Sequence, residues 1–165
     1  MRTLQDILTE LSYNNLPPVW QDFDLATFSS AKRLWDYQQQ ALQNALKALW
    51  KYYEDFGDYH PGEEEQANRR RKQQLWQWYR DNGLKEDFSL DLSRLNHTIA
   101  SLLSEYYEAE GSRLSYEHFI NRMSFWMATG SGKTLVIVKL IELLARLIWR
   151  NEVPPCDILF LTYRD

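Results

Sequence analysis

One cysteine, Cys156, stands in a chain of 165 residues. A disulfide framework within the chain is therefore excluded, and a reducing, cytoplasmic location is the natural expectation. The three histidines, His60, His97 and His118, share no metal-ligand spacing, so no zinc-type centre is expected. Long apolar runs are missing too. The longest, near residues 135–144, is interrupted by Lys139 and Glu142, and nothing has the length of a membrane span. The N-terminal segment mixes charged residues into its apolar pattern and lacks the core of a signal peptide. Cations are outnumbered: 19 Lys and Arg against 23 Asp and Glu give a net charge of −4. That balance gives no global support for nucleic-acid binding, though it leaves room for a local basic patch. Glycine is sparse, with six in all. Each falls at a break in the hydrophobic pattern.

What is present is apolar and aromatic. Forty-four per cent of residues are hydrophobic and 15% aromatic, enough for a folded core rather than a disordered chain. Residues 3–12 read as a short helix. Asn14, Asn15, Pro17 and Pro18 make a loop, and residues 22–30 read as irregular. A long helix begins near Ala31 or Asp36, with Ala41, Leu42, Ala45, Leu46, Leu49 and Tyr53 along one face. Residues 57–62 break it. A second helix opens on the acids at 63–65, continues through the basic run at 69–72 and stops at Gly83, with Glu65 and Arg69 spaced to pair. The basic run reads as a solvated face, and Trp76, Trp78 and Tyr79 as helix packing. A third helix spans about 93–109, with Leu95, Ile99, Leu102, Leu103, Tyr106 and Tyr107 on a buried face and Gly111 as its stop. Asn96-His97-Thr98 matches a glycosylation sequon, which a helical position in a cytoplasmic chain argues against.

The last third changes character. Residues 123–127 form a short apolar run suited to a buried strand. The eight residues Met127-Ala128-Thr129-Gly130-Ser131-Gly132-Lys133-Thr134 follow. Residues 134–150 are then helical and apolar nearly all round, with Lys139, Glu142, Arg146 and Arg150 as one water-facing stripe. Residues 157–162 read as a second buried strand. Strand, glycine loop, helix, strand is a βαβ unit. A polyphosphate needs many oriented donors and little bulk. Glycines let backbone N–H groups approach it, and a helix N-terminus adds its dipole. Thr129, Gly130, Ser131, Gly132, Lys133 and Thr134 are thus candidate nucleotide-binding residues. Lys133 would stabilise phosphate charge and Thr134 would ligate Mg²⁺. The bland alternative is a glycine turn that happens to precede Lys-Thr.

The usual loop pattern begins with glycine where this chain has Met127. The string MATGSGKT resembles motif I of superfamily 2 helicases and translocases. It looks most like the motor subunits of type I and type III restriction enzymes, which group with the DEAD/DEAH-box and excision-repair helicases. Two other stretches share the resemblance. Residues 34–42, with Gln38, resemble the Q motif, in which a glutamine amide reads the adenine edge; solvated glutamines at a helix start are the alternative. Residues 157–165 resemble motif Ia, where Thr162 and Arg164 would touch the nucleic-acid backbone; an ordinary strand with a polar end is the alternative. Lys133 lies 95 residues beyond Gln38, more than the family usually allows, so the resemblance requires a helical insertion.

The expected fold class is α/β: a largely helical N-terminal region followed by the first βαβ unit of an incomplete RecA-like P-loop NTPase domain. The expected division is a lead segment at 1–30, a Q-motif-like helix at 31–54, a helical insertion at 55–115 and the start of the motor at 120–165. The resemblance implies ATP and Mg²⁺ as cofactors and DNA as a partner of the full-length parent. Methyltransferase or specificity subunits of a restriction system are further partners it implies. The sequence ends before the D-E-x-x box that would orient Mg²⁺ and activate water, so the fragment alone is expected to be hydrolytically incompetent. No nuclease carboxylate cluster is found. A P-loop kinase or GTPase, or a non-catalytic helical interaction module, are the rival readings.

Overall fold

The computed structural model describes residues 3–54, 64–85, 88–122, 124 and 127–156. The chain forms two compact units, one of residues 1–10 and 60–124, the other of residues 11–59 and 125–165. No described helix is long and apolar enough to cross a membrane. The apolar run at 123–127 and the strand expected at 157–162 fall wholly or mostly outside the described residues, as does the break at 57–62.

The first unit holds α1 (Leu4–Glu10), α4 (Glu64–Asp81) and α5 (His97–Tyr106), with a two-stranded antiparallel sheet of β3 (Ser89–Asp91) and β4 (Arg113–Ser115). Helix α1 is opened by reciprocal bonds between Thr3 and Asp6: each side chain accepts the other's backbone N–H, at 3.2 and 2.7 Å. This is a capping box, with an acid at the third helical position. Helix α4 ends as its glycine predicts. Gly83 is left-handed, and the Leu84 and Gly83 N–H groups return to the Tyr79 and Arg80 carbonyls, the paired bonds of a Schellman motif. The Glu65–Arg69 pair forms at 3.2 Å. Three expectations fail here. The basic run is not all solvated: Arg71 is buried, and Lys72 donates to the His118 carbonyl at 3.0 Å. The third helix is His97–Tyr106, shorter than 93–109, and its apolar face is open, with Ile99 51%, Leu102 53% and Tyr106 71% exposed. Asn96 caps α5 through the Thr98 N–H, and residues 92–94 are a 3₁₀ turn capped by Asp91. Gly111 does not end the helix. It occupies the left-handed position of a tight turn closed by two bonds between Glu110 and Arg113.

The second unit holds α2 (Pro18–Gln21), β1 (Thr27–Ser29), β2 (Lys32–Arg33), α3 (Asp36–Tyr52) and α6 (Lys133–Trp149). The stretch expected to be irregular contains the β1–β2 hairpin, whose register shifts between Thr27 and Ser29. Asp24 accepts the Ala26 and Thr27 N–H groups ahead of it, each at 3.0 Å. Bonds from Thr27, chiefly, hold its carboxyl below the usual range. Helices α3 and α6 pack together, and Leu42 and Leu46 of α3 meet Val136, Leu143 and Leu147 of α6 in one core. Leu16, Trp20, Phe23 and Leu25 of the lead segment complete that core. The α6 polar stripe is only partly in water. Lys139 is 6% exposed and donates to Glu142 at 3.0 Å. Arg150 donates to the Val19 carbonyl and to Asp22, at 2.7 and 2.8 Å, and lies over the Phe23 ring. Asn151, left-handed, closes α6 and turns Glu152 to accept the Trp20 indole N–H at 2.7 Å.

Leu46 has no exposed surface. Leu46→Ala should therefore cost about 2–5 kcal/mol, the range for emptying a buried leucine site. Denaturant unfolding of both proteins measures this, and a loss of only a few tenths would contradict the α3–α6 core.

Candidate functional site

The N-terminus of α3 and the glycine loop before α6 build one site within the second unit. Leu34 fixes the approach to α3, because its N–H donates to the Ala26 carbonyl at 2.7 Å and its side chain is buried. Trp35 is the N-cap, and Asp36, Tyr37 and Gln38 are the first three helical residues. An acid in the first turn suits the helix dipole. Gln38 occupies the third position, where Glu or Gln side chains turn back onto the N-cap. Its Oε1 accepts the Trp35 N–H at 2.8 Å. Gln39 adds a bond from Nε2 to the Leu34 carbonyl at 2.9 Å.

The loop turns on its glycines. The Ser131 N–H donates to the Ala128 carbonyl at 3.1 Å, and Gly130 and Gly132 have φ of +78° and +77°. L-residues rarely adopt such angles. Gly132 is the N-cap of α6, and no side chain caps the helix. The Leu135 and Val136 N–H groups bond back to the Gly132 carbonyl. The Lys133 and Thr134 N–H groups, in the first turn, have no intrahelical acceptor. Both of these side chains are exposed, as are Thr129 and Gly130. Among the described residues Ser131 Oγ is buried without a hydrogen-bond partner. Met127, where the usual pattern has glycine, is half-buried and packs on the core below.

Two α3 side chains meet this loop at one atom. Gln38 Nε2 donates to the Ser131 carbonyl oxygen at 2.8 Å, and the Tyr37 hydroxyl donates to the same oxygen at 2.9 Å. Gln38 is 1% exposed and Tyr37 49%. The contact also explains why position 132 is glycine. A Cβ there would lie 2.6 Å from Gln38 Nε2, and that amide is buried and bonded at both ends. The structure thus brings Gln38 together with residues 129–134. In this structure the Gln38 amide serves two backbone groups. Thr162 and Arg164 lie outside the described residues. Sequence reasoning missed Tyr37. The third-position glutamine could have revealed the N-cap bond, but no local pattern marks the tyrosine. Among the described residues no group of His, Cys, Asp and Glu could hold a metal ion, and Cys156 is exposed and free.

Residues 31–165 match the family model of the type III restriction enzyme, res subunit. The chain belongs to this family. No curated protein and no solved structure gives a match. The matched region of this res-subunit-family protein takes in both α3 and the glycine loop. The α/β class agrees with the mixture of helices and short strands observed.

Gly130 and Gly132 both have a positive φ, but only Gly132 meets a neighbour: among the described residues nothing lies within 4 Å of a Cβ at 130. Gly132→Ala should therefore destabilise the protein more than Gly130→Ala, by about 1 kcal/mol or more. In a double-mutant cycle with Gln38→Ala the excess should shrink, because the obstructing amide is gone. Strictly additive costs would disprove the contact.

Proposed function

We propose that residues 129–134 are the phosphate-binding loop of an ATP-dependent DNA helicase or translocase of restriction type. The observation that carries this reading is the pair of left-handed glycines leading directly into the uncapped N-terminus of a 17-residue helix. First-turn N–H groups that lack an intrahelical acceptor and, among the described residues, a side-chain cap suit an anion. The orphaned Ser131 hydroxyl lies in the same loop. Lys133, exposed at the first helical position, would bind the β- and γ-phosphates. Thr134 would hold Mg²⁺ through its hydroxyl. Bound Mg²⁺ would neutralise phosphate charge as the terminal phosphate is transferred to water. Family membership favours this reading over a P-loop kinase or GTPase, and over an idle interaction module.

In the same reading the protein's family motor uses ATP to move on DNA. Thr162 and Arg164 would contact the DNA backbone, and methyltransferase or specificity subunits would be its partners. The family resemblance implies Gln38 at the adenine edge, as an alternative to the backbone contacts it makes here. Its amide would then have to exchange at least one of its two backbone partners for the base.

Equilibrium binding of labelled ATP with Mg²⁺ tests the site. Lys133→Ala should weaken binding about tenfold or more, the loss expected for a charge-assisted bond to phosphate. The unfolding midpoint should not change. ATP turnover by the protein carrying the complete motor should be lost in the same variant. Unaltered affinity and turnover would refute the assignment.

A further inference from the structure

We infer that Tyr37 is a positioning residue of the phosphate loop, acting with Gln38 as a clamp on the Ser131 carbonyl. The inference rests on the phosphate-loop reading above and adds to it how the empty loop is held ready. A carbonyl oxygen has two lone pairs, and here each receives a side-chain donor, at 2.8 and 2.9 Å. The peptide joining Ser131 to Gly132 is planar and trans. Its N–H therefore points opposite to its C=O. Pinning the carbonyl toward α3 turns the Gly132 N–H away from α3, free of the clamp. It also keeps the negative end of that peptide dipole from turning toward a polyphosphate. Both donors come from adjacent residues in the first turn of a 17-residue helix, so they share one rigid support. The far end of the Gln38 amide is fixed in turn by the Trp35 N–H.

The clamp touches no base, so its contribution must be the same for any ligand carrying the same phosphates. A glutamine engaged with adenine gives the opposite pattern, a loss confined to ATP. The experiment measures binding of ATP, GTP and inorganic tripolyphosphate, each with Mg²⁺, to the unmodified chain, to Tyr37→Phe and to Gln38→Glu. Tyr37 is half-exposed, so its phenylalanine variant removes only the hydroxyl. A glutamate at position 38 still accepts the Trp35 N–H but has no amide proton for Ser131. Tyr37→Phe should weaken all three ligands by one common factor, about two- to tenfold, the worth of one hydrogen bond. Gln38→Glu should weaken all three by a larger common factor. Without ligand, Tyr37→Phe should also speed hydrogen exchange of the Gly132 amide while the unfolding midpoint stays in place.

The results separate cleanly. If the unmodified chain binds none of the three ligands, the phosphate-loop reading falls and takes the positioning role with it. If the chain binds tripolyphosphate and Tyr37→Phe binds it equally well, the loop reading stands and the clamp is overturned. A loss confined to ATP overturns the clamp in favour of base recognition.

Discussion

The Ser131 carbonyl accepts hydrogen bonds from two side chains 93 and 94 residues upstream, and the local structure on both sides follows from that meeting. On the loop side, an amide nitrogen held against the backbone leaves no room for a Cβ at 132. Glycine then adopts the left-handed angles that start α6 without a side-chain cap. On the helix side, the same glutamine supplies the N-cap bond that begins α3. One buried amide thus sets where two long helices start. Burial raises the stakes: an amide 1% exposed that lost either partner would carry an unmet desolvation cost of about 1–3 kcal/mol.

That meeting requires α3 and α6 to stay side by side, and the core beneath them ensures it. Val136, Leu143 and Leu147 recur along one stripe of α6 and bury almost completely against Leu42, Leu46 and the lead segment. The lead segment acts as a strap. Trp20 fills the core and donates to Glu152, while Arg150 holds Val19 and Asp22. These polar bonds lie at the C-terminal end of the 17-residue α6, opposite the glycine loop. They resist the helix sliding along its axis, which apolar contacts alone resist poorly because they have no direction. Lys139 sits between these ends, nearly buried, its charge met by Glu142.

What was legible in the sequence and what was not divide along physical lines. Helices α3, α4 and α6 were legible because each is long enough for a 3.6-residue pattern to repeat, and Gly83 marked a stop by its own backbone freedom. The turn at Gly130 and Gly132 was legible because glycine's backbone freedom is a local property. The β1–β2 hairpin was not, since strands of three and two residues are too short to show alternation. The β3–β4 pair was hidden for another reason, as its partners lie on either side of α5. Periodicity identified the apolar stripe of α5 correctly, but a stripe does not say what it faces, and Ile99, Leu102 and Tyr106 face outward. The buried position of Lys139 failed similarly: a charged residue on a helix stripe is solvated by default, and only tertiary packing overrides that. Tyr37 was illegible because its partner is 94 residues away and is a backbone carbonyl, which no side-chain pattern encodes.

On the proposed reading, binding and stability pull in different directions at the loop. A Ser, Asp or Asn N-cap would stabilise α6 by about 1 kcal/mol, by accepting the first-turn N–H groups. The same bond would remove donors that an anion needs, and the added side chain would strike Gln38. The chain instead leaves the helix start uncapped and draws stability from elsewhere. The Asn151 turn closes the opposite end of α6, Arg150 ties that end to the lead segment, and the α3 amide holds the loop from behind. Support placed behind the loop leaves its front open, and the cost of ordering the backbone is met before any ligand arrives. On the proposed reading, a loop held in this way is prepared for phosphate by contacts that never touch phosphate.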